Sequence, residues 1–251
     1  MKEASATMKI RVINPNTTVA MTDRIGAAAR AVASAGTLIE AVQPSFGAPS
    51  VEGHFDDVWA AAGVCEQVRD GEASGADAHV IACFGDPGLH AAREVAAGPV
   101  IGIAEAAFHA ASLLATGFSV VTTLTRTCVI AEHLVLQYGF ERRCRGIHGT
   151  DIAVLELDDP ASNAFSRILQ CAEQALRVDH SSAIVLGCAG MADLCCALQQ
   201  RLGVPVIDGV AAAVKLAEAL VGLGLHTSKR GAYAQPLAKR YAGLAAPFSP
   251  Q

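Results

Sequence analysis

Cys83 and Cys188 stand 105 positions apart in matching surroundings, "VIACFGDPGL" at 80–89 and "AIVLGCAGMADL" at 183–194. Val80 aligns with Val185, Gly85 with Gly190 and Leu89 with Leu194. Each thiol closes a short apolar run and precedes a helical pattern, which predicts the carboxyl end of a buried strand. A helix N-terminus there would favour thiolate, through its backbone N–H groups and its dipole. After Cys83, Asp86 is expected to cap the next helix and Pro87 to occupy its first turn. A lone buried cysteine at a strand end is ordinarily packing. Two in the same setting point instead to one site with two thiols. Thiols facing each other across a cleft suit one reaction: one thiolate removes a proton from a carbon, and the opposite thiol returns a proton to the other face.

Other polar groups are expected at the same mouth. Asn14 in "NPNT" (14–17) is a substrate hydrogen-bonder or a turn residue, and Thr122 and Thr123 hold the equivalent place in the second half. The peptide N–H groups of Phe84, Gly85, Ala189 and Gly190 could donate to an oxygen that becomes negative during reaction. His54 reads as a loop or capping histidine, Asp208 as the cap of the helix after it, and Glu105 as part of its own helix's first turn. His79 opens its strand and so sits at the wrong end of the sheet. Cys65 and Cys171 read as small packing groups in helices, and Cys195 and Cys196 as helical residues past the first turn. No cysteine or histidine spacing typical of zinc occurs, and no P-loop, GxGxxG or Ser-His-Asp order, so no metal or nucleotide cofactor is expected.

The elements that position these groups alternate regularly. Strands are predicted at 9–15, 37–44, 78–84, 99–103, 118–123, 143–149, 182–187 and 205–208. Helices are predicted over about 17–34, 55–73, 87–97, 104–116, 125–139, 161–177, 190–202 and 209–223. Continuous apolar strands between alanine-rich helices make an α/β protein with parallel sheets covered on both faces. The repeat extends to "GPVIGI" (98–103) and "VPVIDG" (204–209), and to "RVINPNTT" (11–18) and "SVVTTLTRT" (119–127). Two pseudo-symmetric lobes follow, each a mainly parallel sheet flanked by helices, with the active site in the cleft between them. Lobe 1 is assigned to 8–104 plus 209–251, the C-terminal helix returning to it, and lobe 2 to 105–208. Ligands of open parallel sheets bind at the carboxyl ends of strands, where both cysteines and both polar turns lie.

Of the 251 residues, 52% are hydrophobic and 17% charged, the profile of a well-buried globular chain. A net charge of −5 without a Lys/Arg cluster leaves nucleic acid no electrostatic footprint. No apolar run approaches the ~20 residues of a membrane span, and the first seven residues read as a loose polar extension with Met8 an alternative start. The eight cysteines are therefore expected as reduced thiols in a cytoplasmic protein with a small-molecule substrate.

"RVINPNTT…MT", "CFGDPGL" and "LGCAGM" resemble the aspartate/glutamate racemase superfamily, and within it the hydantoin racemase branch, from about residue 9 to 228. The resemblance is strongest to the allantoin racemases, through "PSVEGHFDD", "VVTTLTRT" and "PVIDGVAAAVK". It implies a cofactor-independent homo-oligomeric racemase of purine catabolism, with Cys83 and Cys188 as acid/base thiols. It also implies a pocket lined by Asn14, Phe84, Gly85, Thr122, Thr123 and Gly190. Amino-acid racemases of the superfamily resemble Cys-Asn-Thr and Gly-Cys-Thr at these places. Here Cys83-Phe84-Gly85 and Gly187-Cys188-Ala189 stand instead, with no Arg or Lys beside either to hold a carboxylate. A neutral ring suits such a pocket, and the expected reaction is proton exchange at C5 of allantoin or another 5-substituted hydantoin. The alternatives are a superfamily reaction of the arylmalonate decarboxylase or maleate isomerase type, and a two-lobed small-molecule-binding protein.

Overall fold

The computed structural model describes residues 7–250. Residues 1–6, most of the expected N-terminal extension, lie outside the described residues. The first half runs β1 (Met8–Ile13), α1 (Val19–Val32), β2 (Thr37–Val42), α2 (His54–Ala73), β3 (Ala78–Ile81), α3 (Leu89–Val95), β4 (Val100–Gly102) and α4 (Ile103–Leu114). The second repeats the alternation: β5 (Phe118–Thr122), α5 (Cys128–Gln137), β6 (Cys144–Gly149), α6 (Ala164–Val178), β7 (Ile184–Leu186), α7 (Cys195–Leu202), β8 (Val206–Ile207) and α8 (Gly209–Gly222). Each predicted strand and helix is present, most of them shortened by a few residues, while β1, α2 and α4 begin one residue earlier and α6 ends one later.

Two four-stranded parallel sheets result, ordered β2-β1-β3-β4 and β6-β5-β7-β8. The second order is the first with four added to every number, which is the internal repeat expressed as topology. In both sheets the strand order reverses beside the first strand of the half, so the crevice lies between β1 and β3 and between β5 and β7. Ala78–Ile81 and Ile184–Leu186 are wholly buried, as strands covered on both faces must be.

Helices α4 and α8 explain how the halves join. Both are apolar nearly all round, and small residues let them pack closely together. α8 also lies against α1 and β3, and the chain beyond it runs back over the first half, where Thr227 Oγ1 donates to the Gly98 carbonyl. Asp208 accepts from the N–H groups of Val210 and Ala211, capping α8 as expected. Phe108 of α4 is completely buried among Phe84, Phe118, Tyr138 and Phe140, with ring centroids 5.5–6.3 Å apart. This aromatic cluster spans the two halves and backs the pocket wall at Phe84. Among the described residues, no helix is long and apolar enough to cross a membrane.

Candidate active site

One pocket opens at the carboxyl ends of β1, β3, β5 and β7. Cys83, Phe84 and Gly85 enter it after β3, Thr122 and Thr123 at the end of β5, and Cys188 and Ala189 after β7. Both cysteines are partly accessible, and they are close enough for the charge of one to act on the other. Ala82 donates to the Ile13 carbonyl and Gly187 to that of Val121, equivalent bonds in the two halves. Each cysteine-bearing strand end is thereby pinned to the central strand of its sheet.

The Asn14 side chain lines the pocket yet is heavily occupied within its own turn. Its Nδ2 donates to Asn16 Oδ1 at 2.9 Å and to Thr22 Oγ1 at 3.0 Å, while its Oδ1 accepts from the Asn16 N–H. Thr122 Oγ1 donates to the Gly187 carbonyl at 2.9 Å, tying β5 to the turn that carries Cys188. The Thr122 and Thr123 carbonyls both accept from Thr150. Gly190 stands behind Cys188 and does not line the pocket; a side chain there would meet Leu157 at 2.9 Å.

The family model for Asp/Glu/Hydantoin racemase matches residues 10–217. The chain belongs to this family. It is 50% identical to the hydantoin racemase of Rhizobium meliloti over 236 residues, 94% of this chain and 98% of that one. With the hydantoin racemase of Pseudomonas sp. strain NS671 it shares 48% identity, over 94% of this chain and 95% of the other. The structure of the allantoin racemase from Klebsiella pneumoniae superposes with a TM-score of 0.95 at 56% identity, covering 97% of this chain and 100% of that one. As a family member the chain is an isomerase.

For a racemase of this family, the electrostatics of the first thiol differ from the sequence-based expectation. Asp86 does not cap α3. That helix begins only at Leu89, after Gly88 has turned the backbone left-handed at φ 69°, so Pro87 lies before it. Asp86 instead accepts from the N–H groups of Ala104 and Glu105, both at 3.0 Å, and so caps α4. Tyr138 also donates to it, at 2.8 Å. A side chain on Gly102 would overlap the Asp86 carboxylate, so glycine is required there.

Cys83 therefore lacks a helix dipole. Burial pushes its thiol up to about 12, against the lowering effect of the Gly85 N–H that bonds its sulfur. Cys188, Asp57 and Asp86 push in the same upward direction. The expectation of a thiolate favoured at Cys83 is overturned, because desolvation outweighs one hydrogen bond. Gly85 N–H is likewise engaged with sulfur rather than turned toward a substrate oxygen. Cys188 heads a 3-10 turn, Ala189–Leu194, whose first N–H groups have no partner within the turn. Cys195 begins α7 rather than lying inside a helix, and its sulfur donates to the Val206 carbonyl at 3.2 Å.

Sequence reasoning missed several lining residues. Asn16 stands two places from Asn14 in the same motif; its Oδ1 accepts from the Thr18 N–H and its Nδ2 meets only the weak acceptor Met21 sulfur, at 3.1 Å. Val51 and Asp57 come from "PSVEGHFDD", quoted above for its family likeness alone. Thr127, Ile130 and Ala131 come from the start of α5, and Val154 from a 3-10 turn after β6. Their periodicity reads as ordinary helix and loop, so only contact across the two halves singles them out. His54 is exposed at the first position of α2 and does not line the pocket, and the buried His79 pairs with Glu72 at the far end of the sheet.

Proposed function

We propose that the protein interconverts the enantiomers of a 5-substituted hydantoin, with allantoin the favoured substrate, by two-base proton transfer at C5. One of Cys83 and Cys188, as thiolate, takes the C5 proton, and the electron pair moves into the adjacent carbonyl to give an enolate. The other, as thiol, gives its proton to the opposite face of C5, and the pair finishes with charge and proton exchanged. The supporting observation is that two cysteines from equivalent strand ends line a single pocket.

The surroundings favour a neutral planar ring. Phe84 and Ala189 present apolar surface, and no Lys or Arg is among the lining residues to hold a carboxylate. The N–H of Ala189, at the start of its turn, is the donor proposed for the enolate oxygen. Asn14, Thr122 and Thr123 are proposed to shape the floor, with Thr122 acting through the Gly187 backbone. Reduced thiols are needed throughout, which suits a cytoplasmic setting.

The test follows the optical rotation of (S)- and (R)-allantoin in heavy water, above the spontaneous background. Rotation should decay from both sides with deuterium entering C5. Cys83→Ser and Cys188→Ser should each abolish net racemisation. A single-cysteine variant that keeps near-full activity would refute the two-base reading, whereas an inactive wild type on allantoin but not on 5-alkylhydantoins would refute the choice of substrate.

A further inference from the structure

Asp57, itself only partly buried, carries one buried carboxyl oxygen without a donor. It lies in the first turn of α2 and lines the pocket beside Cys83 and Gly85. Its Oδ1 is closed off from solvent and has no hydrogen-bond partner. A Cβ built on Gly85 would stand 3.3 Å from that oxygen, so the carboxyl looks directly onto the strand end that carries the first thiol. Burial raises its pKa, partly offset by the positive field of His54.

Its neighbour behaves differently. Asp56 Oδ2 accepts the Glu52 N–H at 3.0 Å and so serves the local backbone. Asp57 Oδ1 serves nothing in the protein. Buried carboxyl oxygens are almost always matched with donors, because leaving one unmatched sacrifices hydration without return. An unmatched acceptor at the edge of a largely apolar pocket is what a donor-bearing ligand would satisfy.

We propose that Asp57 is a substrate-binding and specificity residue that accepts a urea-type N–H of the substrate. The inference rests on the hydantoin reading of the site. A hydantoin has two ring N–H groups, N1–H beside the reacting C5 and N3–H between the carbonyls, and a 5-ureido arm brings further N–H groups of the same kind. Accepting one of these fixes the ring in its plane with C5 held between the sulfurs. A site built to satisfy such a donor rejects analogues that lack it much more strongly than an apolar wall could.

The test compares wild type, Asp57→Ala and Asp57→Asn on 5-methylhydantoin, its N1-methyl and N3-methyl derivatives, and allantoin. Asp57→Ala should raise KM at least tenfold on the parent compound with a smaller change in kcat, and Asp57→Asn, which keeps an acceptor oxygen, should lie between. One N-methyl derivative should be a poor substrate for wild type, and on it the three proteins should converge. A loss confined to allantoin would assign the contact to the ureido arm. Equal kinetics of wild type and Asp57→Ala on every compound, or no discrimination by wild type among the ring methylations and allantoin, would overturn the proposal.

A second readout separates this inference from the reading beneath it. Alkylation of Cys83 by iodoacetamide, followed on its own peptide by mass spectrometry, should be slowed by 5-methylhydantoin in wild type and much less in Asp57→Ala. Should wild type fail to racemise any hydantoin yet show this protection, the reaction is wrong and the Asp57 contact stands. No protection in wild type would sink both. Both variants should fold, since the buried Oδ1 has no partner to lose; if Asp57→Ala does not fold, the isosteric Asp57→Asn carries the comparison.

Discussion

Glu52 Oε1 accepts the backbone N–H of Val154 at 2.9 Å, a bond between the loop after β2 and the turn after β6. The two residues belong to opposite halves of the repeat. Val51 and Val154, on either side of this bond, both line the pocket, and Thr18 Oγ1 holds the same loop by donating to the Pro49 carbonyl at 2.7 Å. The loop is thus a strap across the cleft, fastened at one end to the "NPNT" turn and at the other to the second sheet. Glu52→Ala should cost about 1 kcal/mol of substrate binding, a roughly fivefold rise in KM, with kcat less affected. Steady-state kinetics would measure it, and hydrogen exchange should quicken in the peptide covering 43–53.

Burial holds Cys83 as a thiol, up to about 12 from an ordinary 9.0. At any pH below that value the thiolate fraction grows about tenfold per unit, so alkylation of Cys83 in the empty enzyme should climb steadily from pH 7 to 9. A plateau in that range, measured on the Cys83 peptide, would show a thiolate stabilised by some group the arrangement lacks.

Asp86 should matter for stability more than for chemistry. Asp86→Ala removes the cap of α4 and leaves two buried N–H groups unmatched, at a cost of about 2–4 kcal/mol in urea unfolding. Burial also raises its carboxyl pKa from 3.8 to about 7. The folded protein then keeps a proton that the unfolded chain releases, so this group's contribution is full below about pH 4 and is lost as pH rises toward 7. Compared with Asp86→Asn, wild type should therefore be relatively more stable at pH 5 than at pH 8. The opposite ordering of the urea midpoints would mean that the cap's N–H groups outweigh desolvation.

Gly187 is required by close approach. A Cβ there would stand 2.6 Å from the Thr122 Cβ, whose hydroxyl bonds the Gly187 carbonyl. Gly187→Ala should push β7 from β5, costing about 2 kcal/mol or roughly 4–8 °C in Tm, and should lower kcat by displacing Cys188. Thermal melts and racemisation rates on one preparation would check both. Full activity in a destabilised variant would separate Cys188 from this contact.

Much of the architecture was legible because it depends on local pattern. The apolar strands, the alanine-rich helices and the matched "VIACFGDPGL" and "AIVLGCAGMADL" segments belong to single stretches of chain, and parallel pairing of a repeated βα unit leaves few alternatives. The cysteines were legible for the same reason: each ends its own strand, and strand ends in such sheets face one crevice. Asn14 was legible only as a turn residue or a ligand contact, and the geometry shows its amide largely spent on Asn16 and Thr22.

What a chain segment meets from the other half is not written in its own spacing. Residue order alone determined the two sheets, their shared topology and the presence of a thiol at the mouth of each. Tertiary packing decided that Asp86 caps α4 rather than α3, that Cys83 is desolvated instead of activated by a dipole, and that Asp57 turns an unmatched oxygen into the pocket. Periodicity is a property of neighbours within a few residues, whereas desolvation and hydrogen-bond matching depend on whatever surrounds a group in space.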